Sequence, residues 1–142
     1  MDRLDVLFNE VRLLWHVLVQ QGERLLAGQP VTLAMRAVLE FLAGHGAATV
    51  PRIARNRRVT RQHIQVIVNA LLQQRLVRMR ENPAHRRSGL VELTPLGKEK
   101  IAAMREREAQ HLAGLPFRVG GGELKQARKV LRSVRNTLEG KE

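Results

Sequence analysis

An amphipathic helix is predicted by Val59-Thr60-Arg61-Gln62-His63-Ile64-Gln65-Val66-Ile67-Val68-Asn69-Ala70-Leu71-Leu72-Gln73. Thr60 is a favourable N-cap residue, and the helix that it opens can run to about Gln74. Apolar side chains recur at helical spacing and predict one buried face, formed by Ile64, Ile67, Val68, Leu71 and Leu72. The opposite face is therefore free to contact a partner.

The free face of this helix carries amides and no carboxylate. It presents Gln62, Val66, Asn69 and Gln73, with Arg61, His63 and Gln65 beside them. A helix that is merely solvated normally mixes Glu with Lys, whereas amides bond to base edges without repelling phosphate. This composition favours contact with duplex DNA. Val66 has two interpretations, contact with a thymine methyl group or packing against a neighbouring helix.

A hairpin is predicted directly after this helix. Residues 76–80 and 89–93 alternate between apolar and polar side chains, as strands with one buried face do. The residues between them, 81–88, are mostly polar and contain Asn82-Pro83, which favours a turn. A hairpin that follows a DNA-reading helix is a wing, here residues 76–94.

Two further helices are predicted between residues 32 and 58. Thr32 caps the first, and Thr49 caps the second, which runs from Pro51 to about Arg58. The second helix, a short turn and the helix after Thr60 form a helix-turn-helix, in which the first member crosses the phosphates. We therefore expect four arginines to contact phosphate: Arg52, Arg55, Arg57 and Arg58.

The positive charge is concentrated in this region. The 142 residues contain 25 Lys and Arg against 13 Asp and Glu, which gives a formal net charge of +12. Residues 51–94 contain ten Arg, no Lys and two Glu, so they contribute +8 of that charge. The forked guanidinium group suits phosphate and guanine, and scarce aromatics disfavour stacking on single strands. Duplex DNA is the expected partner.

Other classes of function have little support. The chain has no Cys, so it forms no disulfide. We expect a cytoplasmic protein without a membrane partner, because the sequence lacks a signal-peptide core and an apolar run of membrane-spanning length. Its five histidines lie 18 to 29 residues apart, so we expect no metal. Without a catalytic motif we expect no enzyme, no catalytic residue and no cofactor.

Both ends of the chain predict helices with apolar seams. The first runs from Asp2 to about Ala27, and its seam consists of Leu4, Leu7, Val11, Leu14 and Leu18. The last runs from Glu123 to about Leu138, after a glycine run over residues 120–122 that we interpret as a flexible hinge. Such seams bury against the domain or against a second copy, and seams at both ends favour a dimer.

Together these elements predict a single domain over residues 1–142, mainly α with a small β-hairpin wing. Thr94-Pro95 begins a helix that reaches about Ala113. The expected winged helix-turn-helix has a DNA-binding lobe over residues 32–94 and dimerisation helices over residues 1–27 and 95–142.

The wing resembles the signature of MarR-family transcriptional regulators, Asp-Pro-x-Asp-Arg-Arg followed by Val-x-Leu-Thr-x-x-Gly. The matching residues are Asn82-Pro83-Ala84-His85-Arg86-Arg87-Ser88-Gly89-Leu90-Val91-Glu92-Leu93-Thr94-Pro95-Leu96-Gly97. The resemblance implies a ligand-responsive repressor that binds a pseudo-palindromic operator as a homodimer. Two alternatives stay open, a non-specific nucleic-acid-binding protein of the nucleoid type and a winged-helix module for protein interaction.

The resemblance also assigns roles to single residues. It implies that Arg87 enters the minor groove, that Arg86 binds phosphate, and that Gln62, His63 and Gln65 approach bases or phosphates, next to Thr60, Arg61, Val66 and Asn69. His85 stands where the family has an Asp that holds the wing arginine, so we expect a wing that is less firmly held, unless His85 is a plain turn residue. Arg75 replaces the glycine that ends the helix in relatives, which predicts a different cap.

A small-molecule effector is implied as well. Members of this family bind small aromatic or phenolic anions in a cleft between the dimer helices and the DNA-reading lobe. Arg12, Trp15 and His16 on the first helix can line such a cleft, and Met35 and Arg36 on the next helix are further candidates. Plain packing in an interface is the alternative for Trp15.

Overall fold

The structure, a computed structural model, describes residues 3–141. Its elements are α1 (Arg3–Leu26), α2 (Leu33–His45), α3 (Val50–Arg57), α4 (Arg61–Gln73), β1 (Val77–Arg80), β2 (Leu90–Leu93), α5 (Pro95–Ala113) and α6 (Gly121–Leu138). The predicted class, mainly α with a small hairpin, is confirmed. Residues 1, 2 and 142, which the predicted terminal helices include, lie outside the described residues.

The chain divides into two compact units. The first is Met1–Gln110, with α1 to α4, the hairpin and most of α5, and the second is His111–Glu142, with the end of α5 and all of α6. Within residues 3–141, every helix is too short or too polar to cross a bilayer, and no three His, Asp or Glu side chains gather as a metal site requires.

Three threonines fix the beginnings of helices in the first unit. Thr32, Thr49 and Thr60 have extended backbones and precede α2, α3 and α4. Each Oγ1 accepts a hydrogen bond from the N–H three residues later, over distances of 3.2, 3.3 and 3.1 Å. These bonds satisfy N–H groups that the first turn leaves without a partner inside the helix. The three predicted caps are confirmed.

The core of the first unit contains the apolar faces of α2, α3 and α4 and one side of the hairpin. Leu39, Ile53, Val68, Leu71 and Val91 are each 0% exposed. Burial of an aliphatic side chain of this size contributes roughly 1.5–3 kcal/mol to folding. The predicted inner face of α4 is confirmed, with Leu72 partly buried at its edge.

The wing has two paired strands and one additional bridge. β1 and β2 are antiparallel, with Val77 opposite Leu93 and Arg80 opposite Leu90. Ala48 and Val91 form an isolated bridge through two backbone hydrogen bonds of 3.0 and 2.8 Å. The wing is therefore fastened to the residues that lead into α3.

The end of α4 differs from the prediction. Arg75 has φ 58°, the left-handed conformation in which glycine is the usual residue. Its N–H donates to the Leu72 carbonyl at 3.0 Å, and the Leu76 N–H donates to the Leu71 carbonyl at 3.1 Å. These bonds satisfy carbonyls of the last turn. The expectation of a different cap is wrong, because the backbone keeps this turn even with arginine in it.

Thr94 ties the beginning of α5 to the end of α4. Its Oγ1 accepts a hydrogen bond from the Gly97 N–H at 3.0 Å and donates one to the Arg75 carbonyl at 2.6 Å. A Cβ added at Gly97 would lie 2.0 Å from the Leu76 carbonyl oxygen. The close approach of α5 to the chain that enters the wing therefore requires glycine at position 97.

In the second unit, α6 begins two residues earlier than predicted. Gly120 is its N-cap, and the Gly120 N–H donates to Oε2 of Glu123 at 2.7 Å. Gly121 and Gly122 lie in the first turn. The expected hinge at these glycines is therefore wrong, since they form the cap and the start of the helix. No residue of α6 is buried within the described chain.

Candidate nucleic-acid interface

The outer face of α4 is accessible along its whole length. All of the residues predicted to contact DNA from this segment are exposed: Thr60, Arg61, Gln62, His63, Gln65, Val66 and Asn69. None of the residues of α4 is a carboxylate. The face therefore offers hydrogen-bond donors and acceptors to a polyanion without opposing charge.

Val66 lies on this face and not against a neighbouring helix. Its exposed fraction is 64%. Of the two interpretations of this residue, packing inside the chain is therefore wrong. Beside it, Gln65 Nε2 donates a hydrogen bond of 2.9 Å to Oδ1 of Asn69, one turn further along.

A groove of about 460 Å³ lies between the beginning of α4 and the wing. From α4 it is lined by Arg61, Gln62 and Gln65, and from the wing by Met79, Arg87, Ser88 and Gly89. The structure thus brings the predicted wing-tip arginine and the predicted recognition helix to one surface. Met79 was not predicted, although strand alternation places it on the face opposite to Arg78 and Arg80.

Local backbone bonds shape the turn of the wing. Asn82 Oδ1 accepts from the Ala84 N–H, and the Asn82 carbonyl accepts from the His85 N–H, both at 3.1 Å. His85, Arg86 and Arg87 are all exposed. Among residues 3–141, neither Arg86 nor Arg87 takes part in an ion pair, so both guanidinium groups are available to phosphate.

The strands of the wing carry one carboxylate between two arginines. Glu92 accepts a hydrogen bond from Arg78 Nε at 2.7 Å and lies 3.4 Å from Arg80 Nη1. The hydrogen bond from Arg78, followed by the charge of Arg80, holds the pKa of Glu92 below its ordinary value. The negative charge of Glu92 is thus matched by two arginines within the strands.

The four arginines predicted to contact phosphate are exposed but lie in different settings. The Arg52 guanidinium stands 5.8 Å from the centroid of the Phe41 ring, a cation–π contact. Arg55 lies on the exposed side of α3. Arg58 follows α3 with φ 57°, and its N–H donates to the Arg55 carbonyl at 3.3 Å. Arg57 lines a second cleft.

This second cleft, of about 460 Å³, lies beside α1 and α2. Its wall is mostly apolar and consists of Trp15, Leu18, Val19, Leu33, Ala34 and Ala37, with Arg36, Glu40, Arg57 and Glu108 as its charged members. Of the residues predicted to line an effector pocket, Trp15 lies here, as does Arg36. Arg12 and His16 are exposed on α1 and are not among the lining residues. Met35 is not among them either, because it is buried in the core. Arg57 and Glu108 were missed, because nothing in the sequence relates them to α1.

Ion pairs close one side of this cleft. Arg36 bonds to Glu108, and Arg105 Nη2 lies 2.7 Å from Oε2 of Glu40. The hydrogen bond from Arg105, which is larger than the opposing effect of burial, lowers the pKa of Glu40. The same bond raises the pKa of Arg105. These pairs join α2 to α5.

Comparisons with known proteins agree with this arrangement. Residues 30–88 match the model of the MarR family. An uncharacterized protein of Mycobacterium tuberculosis is 36% identical over 106 residues, which cover 75% of this chain and 73% of that protein. The crystal structure of a MarR family transcription regulator superposes with a TM-score of 0.82 and 30% identity, over 96% of this chain and 92% of that chain.

A more distant structure has the same fold. It is that of BpsR from Bordetella bronchiseptica, described with the regulation of its DNA binding by 6-hydroxynicotinic acid. It matches with a TM-score of 0.76 and 20% identity, over 90% of this chain and 91% of that chain. On the family model, and on 30% identity to a family member over nearly the full length of both chains, this protein belongs to the MarR family of transcription regulators.

Proposed function

We propose that this regulator binds specific sites in duplex DNA, with α4 in the major groove and the tip of the wing in the adjacent minor groove. The observation that carries the proposal is the shared groove, where Arg61, Gln62 and Gln65 meet Arg87 of the wing. Arginines neutralise phosphates and supply affinity, whereas amides distinguish base edges. A groove with both kinds of group suits sequence-specific binding better than binding by charge alone.

We further propose that it acts as a homodimer. Leu13, Leu14, Trp15, Val17 and Leu18 on α1 are each between 50% and 61% exposed. A continuous apolar surface of this kind is typical of a protein interface. A two-fold dimer carries two recognition helices, so the operator is a pseudo-palindrome with half-sites about 34 Å apart. A dimer bound at a promoter blocks polymerase, and its simplest role is that of a repressor.

The cleft beside Trp15 is our candidate effector site. Its apolar wall suits an aromatic ring, and among the described residues Arg57 is the cation of this cleft that has no ion pair. We infer that Arg57 holds the carboxylate or phenolate of a small aromatic anion. BpsR, which has the same fold, is regulated by such an acid. The ligand releases DNA if it favours a spacing of the two recognition helices that does not match the operator.

Competition between duplexes tests the DNA-binding proposal. The protein is used to select bound duplexes from a random library, and the best duplex is then challenged with unselected duplex. A sequence-specific regulator retains its site against about a thousandfold excess. A nucleoid-type protein releases it, and an interaction module selects no duplex at all. As an internal check, Gln62→Ala relaxes the base preference, whereas Arg55→Ala weakens all duplexes alike.

Fluorescence tests the effector site, because Trp15 is the only tryptophan in the chain. Titration with 6-hydroxynicotinate or salicylate is expected to change Trp15 emission and to release a bound operator. Arg57→Ala weakens this response, whereas Arg12→Ala, outside the cleft, preserves it. If Arg12→Ala weakens the response and Arg57→Ala preserves it, the anion binds at Arg12 instead. If neither acid changes Trp15 emission or releases the operator, the proposed effector site is contradicted.

A further inference from the structure

A single apolar side chain stands in the middle of the polar face of α4. At about 100° per residue, Val66 points away from Ile64, Ile67 and Leu71, which form the buried face. It is 64% exposed, and Gln62 lies one turn before it. The exposed neighbours of Val66 on this face are polar or charged.

Packing within the chain does not account for this valine. Gln65 and Asn69 hydrogen bond to each other beside it, and Val66 is left 64% exposed. Isolated surface valines are common, but this one lies on the face that the proposed function places against base edges. A protein-docking patch would need further apolar neighbours, and the outer face of α4 has none. The site fits one small apolar group surrounded by groups that form hydrogen bonds.

The major groove of DNA presents one such group, the C5 methyl of thymine. Cytosine has only a hydrogen at C5 and an amino group at N4, which valine cannot satisfy. Branching at Cβ also restricts valine in a helix mainly to one χ1 rotamer, so little side-chain freedom is lost on contact. The side chain is short, and it therefore reaches only the base directly opposite the middle of the helix.

We propose that Val66 recognises the methyl group of one thymine in each half-site of the operator, and so determines specificity at that base pair. This inference rests on the proposed function, since it requires α4 to lie in the major groove. It adds to that function the base that is recognised, a thymine, and the group that is contacted, its C5 methyl. Val66 then selects thymine over cytosine and over uracil.

Deoxyuridine provides the test, because it keeps the hydrogen-bonding groups of thymine and lacks only the methyl group. Each thymine of the selected duplex is replaced in turn, and the affinity of the wild-type dimer is measured. At one position in a half-site, deoxyuridine is expected to weaken binding about fourfold, as the loss of one buried methyl predicts. Val66→Ala is expected to bind the thymine and deoxyuridine duplexes equally well at that position.

Arg107→Ala, on α5 and outside the proposed DNA-binding surface, serves as the control and is expected to keep the fourfold difference. The inference is overturned if no position is sensitive to deoxyuridine, or if Val66→Ala retains the sensitivity. Either result contradicts only the role of Val66. The proposed function stands in that case, because the duplex used in the test has already shown sequence-specific binding in the competition experiment. Failure to select any duplex removes the proposed function and this inference together. Val66 is exposed, so its truncation leaves the core intact, which the thermal midpoint of the variant verifies.

Discussion

Two arginines that follow the two helices of the helix-turn-helix, α3 and α4, have the left-handed backbone conformation that favours glycine. Arg58 and Arg75 have φ values of 57° and 58°. A left-handed backbone costs a residue with a Cβ about 1–2 kcal/mol. In return, each position places a cation near the carboxyl end of a helix, where the helix dipole favours positive charge. The strained backbones of Arg58 and Arg75 thus lie beside the surface that is proposed to bind DNA.

Arg75→Gly is expected to stabilise the protein by about 0.5–1 kcal/mol, because glycine adopts this φ without steric cost. Chemical denaturation of the variant and the wild type measures the difference. Arg55→Gly, inside α3, is the control and is expected to lose about 1 kcal/mol. A loss of stability at both positions would show that Arg75 contributes more through its side chain than its backbone costs.

Gly97→Ala is expected to destabilise the fold by about 2–3 kcal/mol, because its Cβ meets the Leu76 carbonyl and forces α5 or the backbone to move. Gly44→Ala is the matched control. A Cβ at Gly44 meets nothing within 4 Å, so alanine there is neutral or raises the stability of α2. Urea denaturation distinguishes the two, and equal free energies of unfolding contradict the close approach.

The residue at position 75 also shows where reasoning from sequence fails. Arginine in place of glycine predicted a different cap, because φ was inferred from residue type. In the structure two hydrogen bonds, from the N–H groups of Arg75 and Leu76, hold the turn. At about 1 kcal/mol each, two such bonds match the steric cost of the left-handed conformation. A local rule about one side chain could not include this balance.

At the scale of elements, the tip of the wing is proposed to contribute to DNA binding separately from α4. Arg87→Ala is expected to lower the affinity for the operator by about 1–3 kcal/mol and to reduce the salt dependence by about one ion. Binding isotherms at several salt concentrations measure both quantities. Arg107→Ala, on the exposed side of α5, removes the same charge and is expected to change neither. If Arg87→Ala leaves both the affinity and its salt dependence unchanged, the wing does not contact DNA.

The ion pairs between α2 and α5 predict a dependence of stability on pH. The pKa of Glu40 is lowered in the folded protein, so its contribution is present above the unfolded value near 4.5 and is lost as the pH falls through the folded value. Glu40→Gln is expected to lower the free energy of unfolding by about 1 kcal/mol at neutral pH. At a pH low enough to protonate Glu40 in the folded wild type, the two proteins are expected to be equally stable. Unfolding by urea over a pH series measures this. Glu99→Gln, at an exposed position of α5, is the control and is expected to leave the free energy of unfolding at neutral pH unchanged.

Helices and strands were the most predictable level. Thr32, Thr49 and Thr60 identified three helix beginnings, since a capping side chain and its N–H partner are only three residues apart. Alternation of side chains located the wing for the same local reason. The glycines before α6 were misinterpreted because glycine permits both a hinge and a helix cap, and only the bond from Gly120 to Glu123 selects the cap.

At the scale of the whole molecule, the exposed apolar side of α1 predicts dimerisation. Leu14 is 55% exposed in the single chain, so Leu14→Glu leaves the core intact and places a charge within the proposed interface. Sedimentation is expected to give a dimer for the wild type and a monomer for the variant. Glu10→Gln on the same helix is the control. A wild-type monomer at micromolar concentration would contradict the dimer.

The cleft proposed to bind an effector was the least predictable feature. Trp15 was singled out from α1, but Arg57 and Glu108 come from α3 and α5, and no local pattern relates the three. Arg12 and His16 were predicted from the same helix but do not line the cleft. His16 is adjacent to Trp15 and so points about 100° away from it. Arg12 lies one turn before Trp15, and only the packing of α1 against α2 decides that the cleft does not extend to it.

The hydroxyl group of Thr94 has a mechanical consequence. It donates a hydrogen bond to the Arg75 carbonyl at the end of α4 and accepts one from the Gly97 N–H in the first turn of α5. The same hydroxyl group therefore connects the two helices. We expect a displacement of the start of α5 to move the end of α4 with it, because both are bonded to the same hydroxyl group. A ligand in the proposed effector cleft, which does not touch the bases, is therefore expected to change the orientation of α4 relative to the duplex.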